Sequence, residues 1–184
     1  MLTEFRGRGD EIRVYPLSFS EYVSAYSGDK YDAWLDYYTY GGLPLILSRQ
    51  TEELKAKYLA DLCSELYLKD IEERNKLRGD NVMADLVNVL ASAVGSLTNP
   101  TKLANTFSSN GIGVSDKTIG LYISYLEDAF FISKAERYNI KGKKYIASPF
   151  KYYFTDVGLR NARLNFRQQE ENHIMENIIY NELL

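Results

Sequence analysis

Five residues have the types and spacing to do chemistry: Lys141, Lys143 and Lys144 in the string KGKK, and the pair Lys117–Thr118 that follows Ser115. Lysines grouped on a short turn contact phosphates as point charges. A Lys-Thr pair in the first turn of a helix presents donors where the helix dipole favours an anion. Each pattern has a plain alternative, a solvated turn in the first case and a solvated helix start in the second.

Other chemistry is hard to build from this chain. His173 is the one histidine, three residues from Glu176, and no second histidine or cysteine stands at ligand spacing. The carboxylate pairs Glu52–Glu53 and Glu72–Glu73 read as solvated helix charges. There is no G-x-S-x-G nucleophile elbow and no G-x-x-x-x-G-K-[ST] phosphate loop; RGRGD has two glycines but neither the Lys-Ser/Thr nor a preceding strand. Cys63, the only cysteine, lies in the apolar helical string LADLCSELYL and reads as a core thiol. The expectation is a chain that is not itself an enzyme and holds no cofactor or metal. No leader pattern opens it and no apolar run nears membrane-spanning length, so a reducing cytoplasm and no membrane partner are expected.

The formal charge of −3 over 184 residues conceals an asymmetry. Acids outnumber bases up to Val82, whereas Lys134, Arg137, Lys141, Lys143, Lys144, Lys151, Arg160 and Arg163 face only Glu136 and Asp156. Such a segment is either an anion-binding face or a solvated hairpin that keeps a sheet edge soluble. Tyrosine is heavy at 16 residues but spread along the chain, which suits amphipathic packing better than a single stacking surface.

The elements that must position these residues follow from periodicity and punctuation. EIRVYP reads as a short strand ended by Pro16, and Ser18 with Glu21 has capping-box spacing for the next helix. A helical pattern through KYDAWLDYYTY stops at the GGLP of Gly41 to Pro44. A longer helix is predicted from about Thr51 to Asp70, with Leu54, Tyr58, Leu62 and Leu66 as its stripe. NVMADLVNVLASAVGS is amphipathic, Asn99–Pro100 opens a second helix ending at Gly111, and Ser115 caps a third with Ile119, Tyr122, Ile123 and Leu126 inward. ISKAERYNI, YIASP and KYYFTD read as strands around a turn at Gly142.

Three helices followed by a basic hairpin is the order of a winged helix, with Lys117 and Thr118 at the recognition-helix start and Lys141, Lys143 and Lys144 on the wing. The predicted fold is mainly α: a helical subdomain followed by a winged helix-turn-helix with a small β-hairpin wing. The predicted segments are 1–20, a remnant strand and exit; 21–79, the helical subdomain; 80–165, the winged helix; and 166–184, a terminal helix.

RGRGDEIRVYPLSFSEY, YGGLP, ELYLKDIEER, TIGLYISYLEDAFFI, RYNIKGKKYI, KYYFTDVGLRNARL and HIMENIIYNEL occur in this order. The set resembles the C-terminal part of a family of prokaryotic AAA-type ATP-binding proteins, which carry a helical region, a winged helix and a DUF4143-type C-terminal domain like PD-(D/E)XK nucleases. The resemblance implies a fragment whose phosphate-loop core precedes Met1 and whose nuclease-like strands follow Leu184, both being its partners. ATP and magnesium would belong to that parent. It also implies that Arg8, in RGR, lies near the edge of the ATPase core and could sense a γ-phosphate. Glu176 would match the first-helix glutamate of the nuclease-like fold and act here as a helix-surface acid. The expected role is a non-catalytic regulatory segment coupling nucleotide state to an effector. The alternatives are a DNA- or RNA-binding winged helix and a protein-interaction or oligomerisation segment.

Overall fold

Ser18 and Glu21 open the first helix by satisfying each other's backbone: Ser18 Oγ accepts the Glu21 N–H at 3.3 Å and Glu21 Oε2 accepts the Ser18 N–H at 2.8 Å. The computed structural model describes residues 12–77, 81–136, 149–167 and 170–184, and within them the chain is mainly helical with a small two-stranded antiparallel sheet. The first part runs α1 (Phe19–Ala25), α2 (Lys30–Tyr40), a 3-10 turn (Pro44–Ile46), α3 (Glu52–Asp61), a π-helical segment (Leu62–Leu68) and α4 (Lys69–Arg74). Then come α5 (Val82–Ser92), α6 (Pro100–Ser109), α7 (Asp116–Asp128), β1 (Ile132–Ala135), β2 (Lys151–Phe154), α8 (Val157–Arg163) and α9 (Glu171–Glu182).

Local signals placed most helix starts. Asn99 Oδ1 accepts the Lys102 N–H at 2.7 Å with Pro100 in the first turn, and Ser115 Oγ accepts the Thr118 N–H at 3.1 Å. Gly41, at φ 77, ends α2 where a side chain would be strained. Ile119, Tyr122, Ile123 and Leu126 are all buried, as the 3.6-residue period requires. Tyr22, Tyr37, Tyr40, Tyr122, Tyr152 and Tyr153 belong to one apolar cluster that reaches from α1 to α9, so much of the tyrosine content is core.

Two expectations change. The stripe on the long helix is shifted from the one predicted: Tyr58 and Leu62 pack against the core only partly buried, and the Leu66 side chain lies outside the described residues. Leu54 is 47% exposed, and the buried positions are Leu59, Cys63, Leu68 and Ile71. The step from Cys63 to Leu68 is five residues, which a wider π turn accommodates and a continuous α-helix would rotate off the face. The strand expected over EIRVYP is not formed either. Residues 12–15 carry no regular structure, and Leu17 N–H to the Gly42 carbonyl, 2.8 Å, ties down the end of the segment. A strand needs a neighbour to accept its ladder, and none of the described residues supplies one.

β1 and β2 pair antiparallel, with Ile132 opposite Phe154 and Ala135 opposite Lys151. The segment between them, with Arg137, Lys141, Lys143 and Lys144, lies outside the described residues, as does Arg8. The second edge of β2 is also filled. Thr98 and Phe150 exchange two backbone bonds of 2.8 Å, Gly95 N–H reaches the Tyr152 carbonyl at 3.4 Å, and Asn177 pairs with Phe154 through its side-chain amide.

α8 is the hub. It touches α2, α3, α5, α9, β2 and the π segment. The sequence pattern ends a strand at Asp156 and predicts no helix over VGLRNAR. Its helix start was legible in Asp156, an N-cap type whose Oδ1 accepts the Leu159 N–H at 3.1 Å.

Candidate functional site

The start of α7 has Lys117 exposed beside exposed Asp116, while Thr118 is half-buried with its hydroxyl 2.9 Å from Ser115 Oγ. Thr118 therefore completes its own helix cap. The basic run is not a continuous positive face among the described residues. Lys134 pairs with Glu136 at 2.9 Å and its ammonium sits 4.4 Å over the Phe150 ring, and Lys151 pairs with Glu176. Arg160 is 1% exposed, and Arg163 is half-buried with Nη2 2.7 Å from Asn88 Oδ1 and 3.1 Å from the Ala84 carbonyl. Charge along the sequence could not reveal that these two arginines turn inward.

The densest polar chemistry is at α8, where sequence reasoning did not look. Asp156, 3% exposed, accepts Gly42 N–H at 2.8 Å and Leu159 N–H at 3.1 Å. Burial pushes its carboxyl up to about 6, partly opposed by these backbone donors. Two glycines make the approach possible. A Cβ on Gly41 would stand 2.1 Å from Asp156 Oδ1, and one on Gly158 would stand 2.0 Å from the Tyr40 carbonyl oxygen. Asn161 Nδ2 donates to the Tyr38 and Thr39 carbonyls at 3.1 and 2.9 Å, and Arg160 Nε donates to the Ala91 carbonyl at 2.9 Å. Those carbonyls lie in the last turns of α2 and α5, where helices leave acceptors unsatisfied and a positive charge is favoured. One short helix thus caps the C-terminal ends of two others.

α9 is bound by a second polar set. Glu176 accepts from Lys151 and from the Tyr153 hydroxyl at 2.6 Å, so it anchors the helix on β2 and is more than a surface acid. Gly95, at φ 72, leaves the room: a Cβ there would meet Glu176 Oε2 at 2.9 Å and His173 Nδ1 at 3.2 Å. His173 Nε2 lies 3.4 Å from Glu170. Among the described residues, no three of His, Cys, Asp and Glu are grouped as metal ligands, and no helix is long and apolar enough to cross a membrane.

A mainly helical protein with a two-stranded sheet, its buried polar groups directed at helix ends and a strand edge, is the class these observations define. The chain belongs to the family described as Domain of unknown function (DUF8612), which matches residues 31–170. It is 34% identical over 189 residues to an uncharacterized protein of Haemophilus influenzae, covering 100% of this chain and 47% of that protein. It is 26% identical over 193 residues to an uncharacterized protein of Methanocaldococcus jannaschii, covering 98% of this chain and 43% of that one. The chain therefore spans less than half the length of these relatives. No solved structure matches it. These matches correct the resemblance to AAA-type ATP-binding proteins with a DUF4143-type domain: the family over residues 31–170 is a different one, and neither relative carries a description as an ATPase. The quoted strings misled for a physical reason. FTDVGLRNARL, YGGLP and KYYFTD are the packing contacts of α8, the α2 exit and β2, which report how helices join and not what chemistry a neighbouring domain performs.

Proposed function

We propose that this chain is a non-catalytic coupling module, in which the α1–α4 helices and the α5–β2 unit move as one body. The observation that carries this reading is the polar capping by α8: Asp156 holds the Gly42 turn, Asn161 the end of α2 and Arg160 the end of α5. Buried polar groups are costly to leave unpaired, so a relative rotation of α2 and α5 would strand several at once. A module built this way transmits displacement between what contacts its two halves. Native-state hydrogen exchange tests it. The amides of α2 and α5 should lose protection in one event with the same denaturant dependence. Asn161→Ala should split that event, with the last turn of α2 opening first. Separate opening of α2 and α5 in the unaltered protein would sink the reading.

A second reading, nucleic-acid binding, is favoured by one observation. The order α5, Thr98 bridge, α6, α7, β1, β2 is one we read as a winged helix, with exposed Lys117 at the start of its third helix. Asp116 and Asp128 on the same helix work against phosphate contact. Anisotropy of labelled duplex and single-stranded DNA across a salt series decides it. Binding that weakens with salt and with Lys141, Lys143 and Lys144 changed to Ala supports this reading, and no binding at low salt removes it.

A further inference from the structure

The end of α1, α2, the start of α3 and the chain after α8 border an open recess of about 510 Å³. Three rings, Tyr26, Tyr40 and Phe166, and three carboxylates, Asp32, Asp36 and Glu52, line it. Phe166 is held there by a left-handed backbone, φ 57, its N–H bonded to the Asn161 carbonyl at 2.8 Å and its ring 5.5 Å from that of Tyr40.

Two of the lining residues, Tyr40 and Asp36, already meet a cation of the chain itself. The Lys55 ammonium lies 5.3 Å from the centre of the Tyr40 ring and bonds both oxygens of Asp36 at 2.5 and 2.6 Å. Tyr22 donates to the same carboxylate at 2.5 Å, so Asp36 is satisfied. Asp32 and Glu52 are exposed to water, and among the described residues neither carboxylate accepts a hydrogen bond from the protein or meets a cation. The field of the acids reaches the rings. After burial, Asp36, Asp32 and Asp29 raise the Tyr26 hydroxyl, and Glu52, Asp36 and Glu53 raise that of Tyr40.

We propose that this recess binds an arginine side chain of a partner polypeptide, its guanidinium against the rings and between Asp32 and Glu52. A planar guanidinium stacks on aromatic faces and pairs with carboxylates better than an ammonium does. The polypeptide source follows from the rim. Leu35, which lines the recess, and Tyr31 one turn before it are 62% and 83% exposed, an apolar footing for the residues that flank the arginine. The site lies apart from α7, so it does not depend on nucleic-acid binding.

The test is a titration of the isotope-labelled protein with the tripeptide acetyl-Leu-Arg-Leu-amide, followed by amide chemical shifts. The expected result is saturable shifts at Asp32, Leu35, Thr39, Glu52 and Phe166, weakened roughly tenfold in Asp32→Asn/Glu52→Gln. Both changes fall on exposed carboxylates away from the core, and a spectrum otherwise unchanged in that variant verifies its fold. Equal binding of the citrulline tripeptide, or no shift at the recess, overturns the proposal. Guanidinium chloride binding as tightly as the tripeptide also overturns it, because the partner would then be a small cation.

Discussion

Asn177 pairs with Phe154 as a strand would: its Oδ1 accepts the Phe154 N–H at 2.9 Å and its Nδ2 donates to the Phe154 carbonyl at 2.7 Å. The side chain continues the edge that Thr98 and Gly95 fill at Phe150 and Tyr152. One turn on, Asn181 Nδ2 donates to the Phe154 and Thr155 carbonyls at 3.1 Å each. A helix thus completes a sheet edge, which removes backbone groups open to edge-to-edge pairing.

Removing that amide should cost more than an ordinary hydrogen bond. Asn177→Ala leaves a buried N–H unpaired and weakens the partner carbonyl, a loss of about 2–4 kcal/mol at roughly 1–3 kcal/mol per stranded group. Asn177→Asp keeps the acceptor but turns the donor into a buried carboxyl oxygen facing the Phe154 carbonyl, so at neutral pH it should lose at least as much. Urea denaturation of the two variants at pH 7 checks the order, and a clearly smaller loss in Asn177→Asp would show that the acceptor half alone carries the contact.

Asp156 should impose a pH dependence on stability. Its folded value, about 6, lies above the ordinary 3.8, so the folded chain holds this proton more tightly than the unfolded one. The stabilisation is complete below the unfolded value and is lost as pH rises through about 6. Its size is on the order of 2–3 kcal/mol. Denaturation midpoints of the protein and of Asp156→Asn, taken from pH 4 to 8, should differ in slope across the lower half of that range. Parallel profiles would rule the group out.

Gly158→Ala should prevent folding or destabilise by several kcal/mol, since the new Cβ would meet a backbone oxygen, Tyr40 O, at 2.0 Å. Gly113→Ala, with nothing within 4 Å of its Cβ, is the control and should leave the thermal midpoint almost unchanged.

Cys63 should resist thiol reagents in the folded protein. It is 1% exposed, and burial pushes its thiol up to about 11, against the lowering effect of Arg163. Labelling by a disulfide reagent should proceed only through unfolding and accelerate with urea. Fast labelling in buffer would mean that the π segment opens locally.

Helix starts and the inward face of α7 were legible because capping and the 3.6-residue period are local: Ser18, Asn99 and Ser115 bond to amides three residues away. The Cys63-to-Leu68 step was not, because a π turn leaves no mark on composition. The candidate site was less legible still. Lys117 and Thr118 stood where a capped helix put them, whereas Arg160 counted as surface charge in a basic run until the Ala91 carbonyl of α5 and the Asn161 side chain met it.

By itself, then, the sequence determined a mainly helical chain with a small antiparallel strand pair and the residues that open its helices, through interactions within one or two turns. Only the tertiary structure decided where the polar groups go. Asp156, Arg160, Asn161 and Asn177 are ordinary polar letters, and their partners lie 114, 69, 123 and 23 residues away. Such contacts form when distant main-chain groups lose water together, and no local pattern records which will meet.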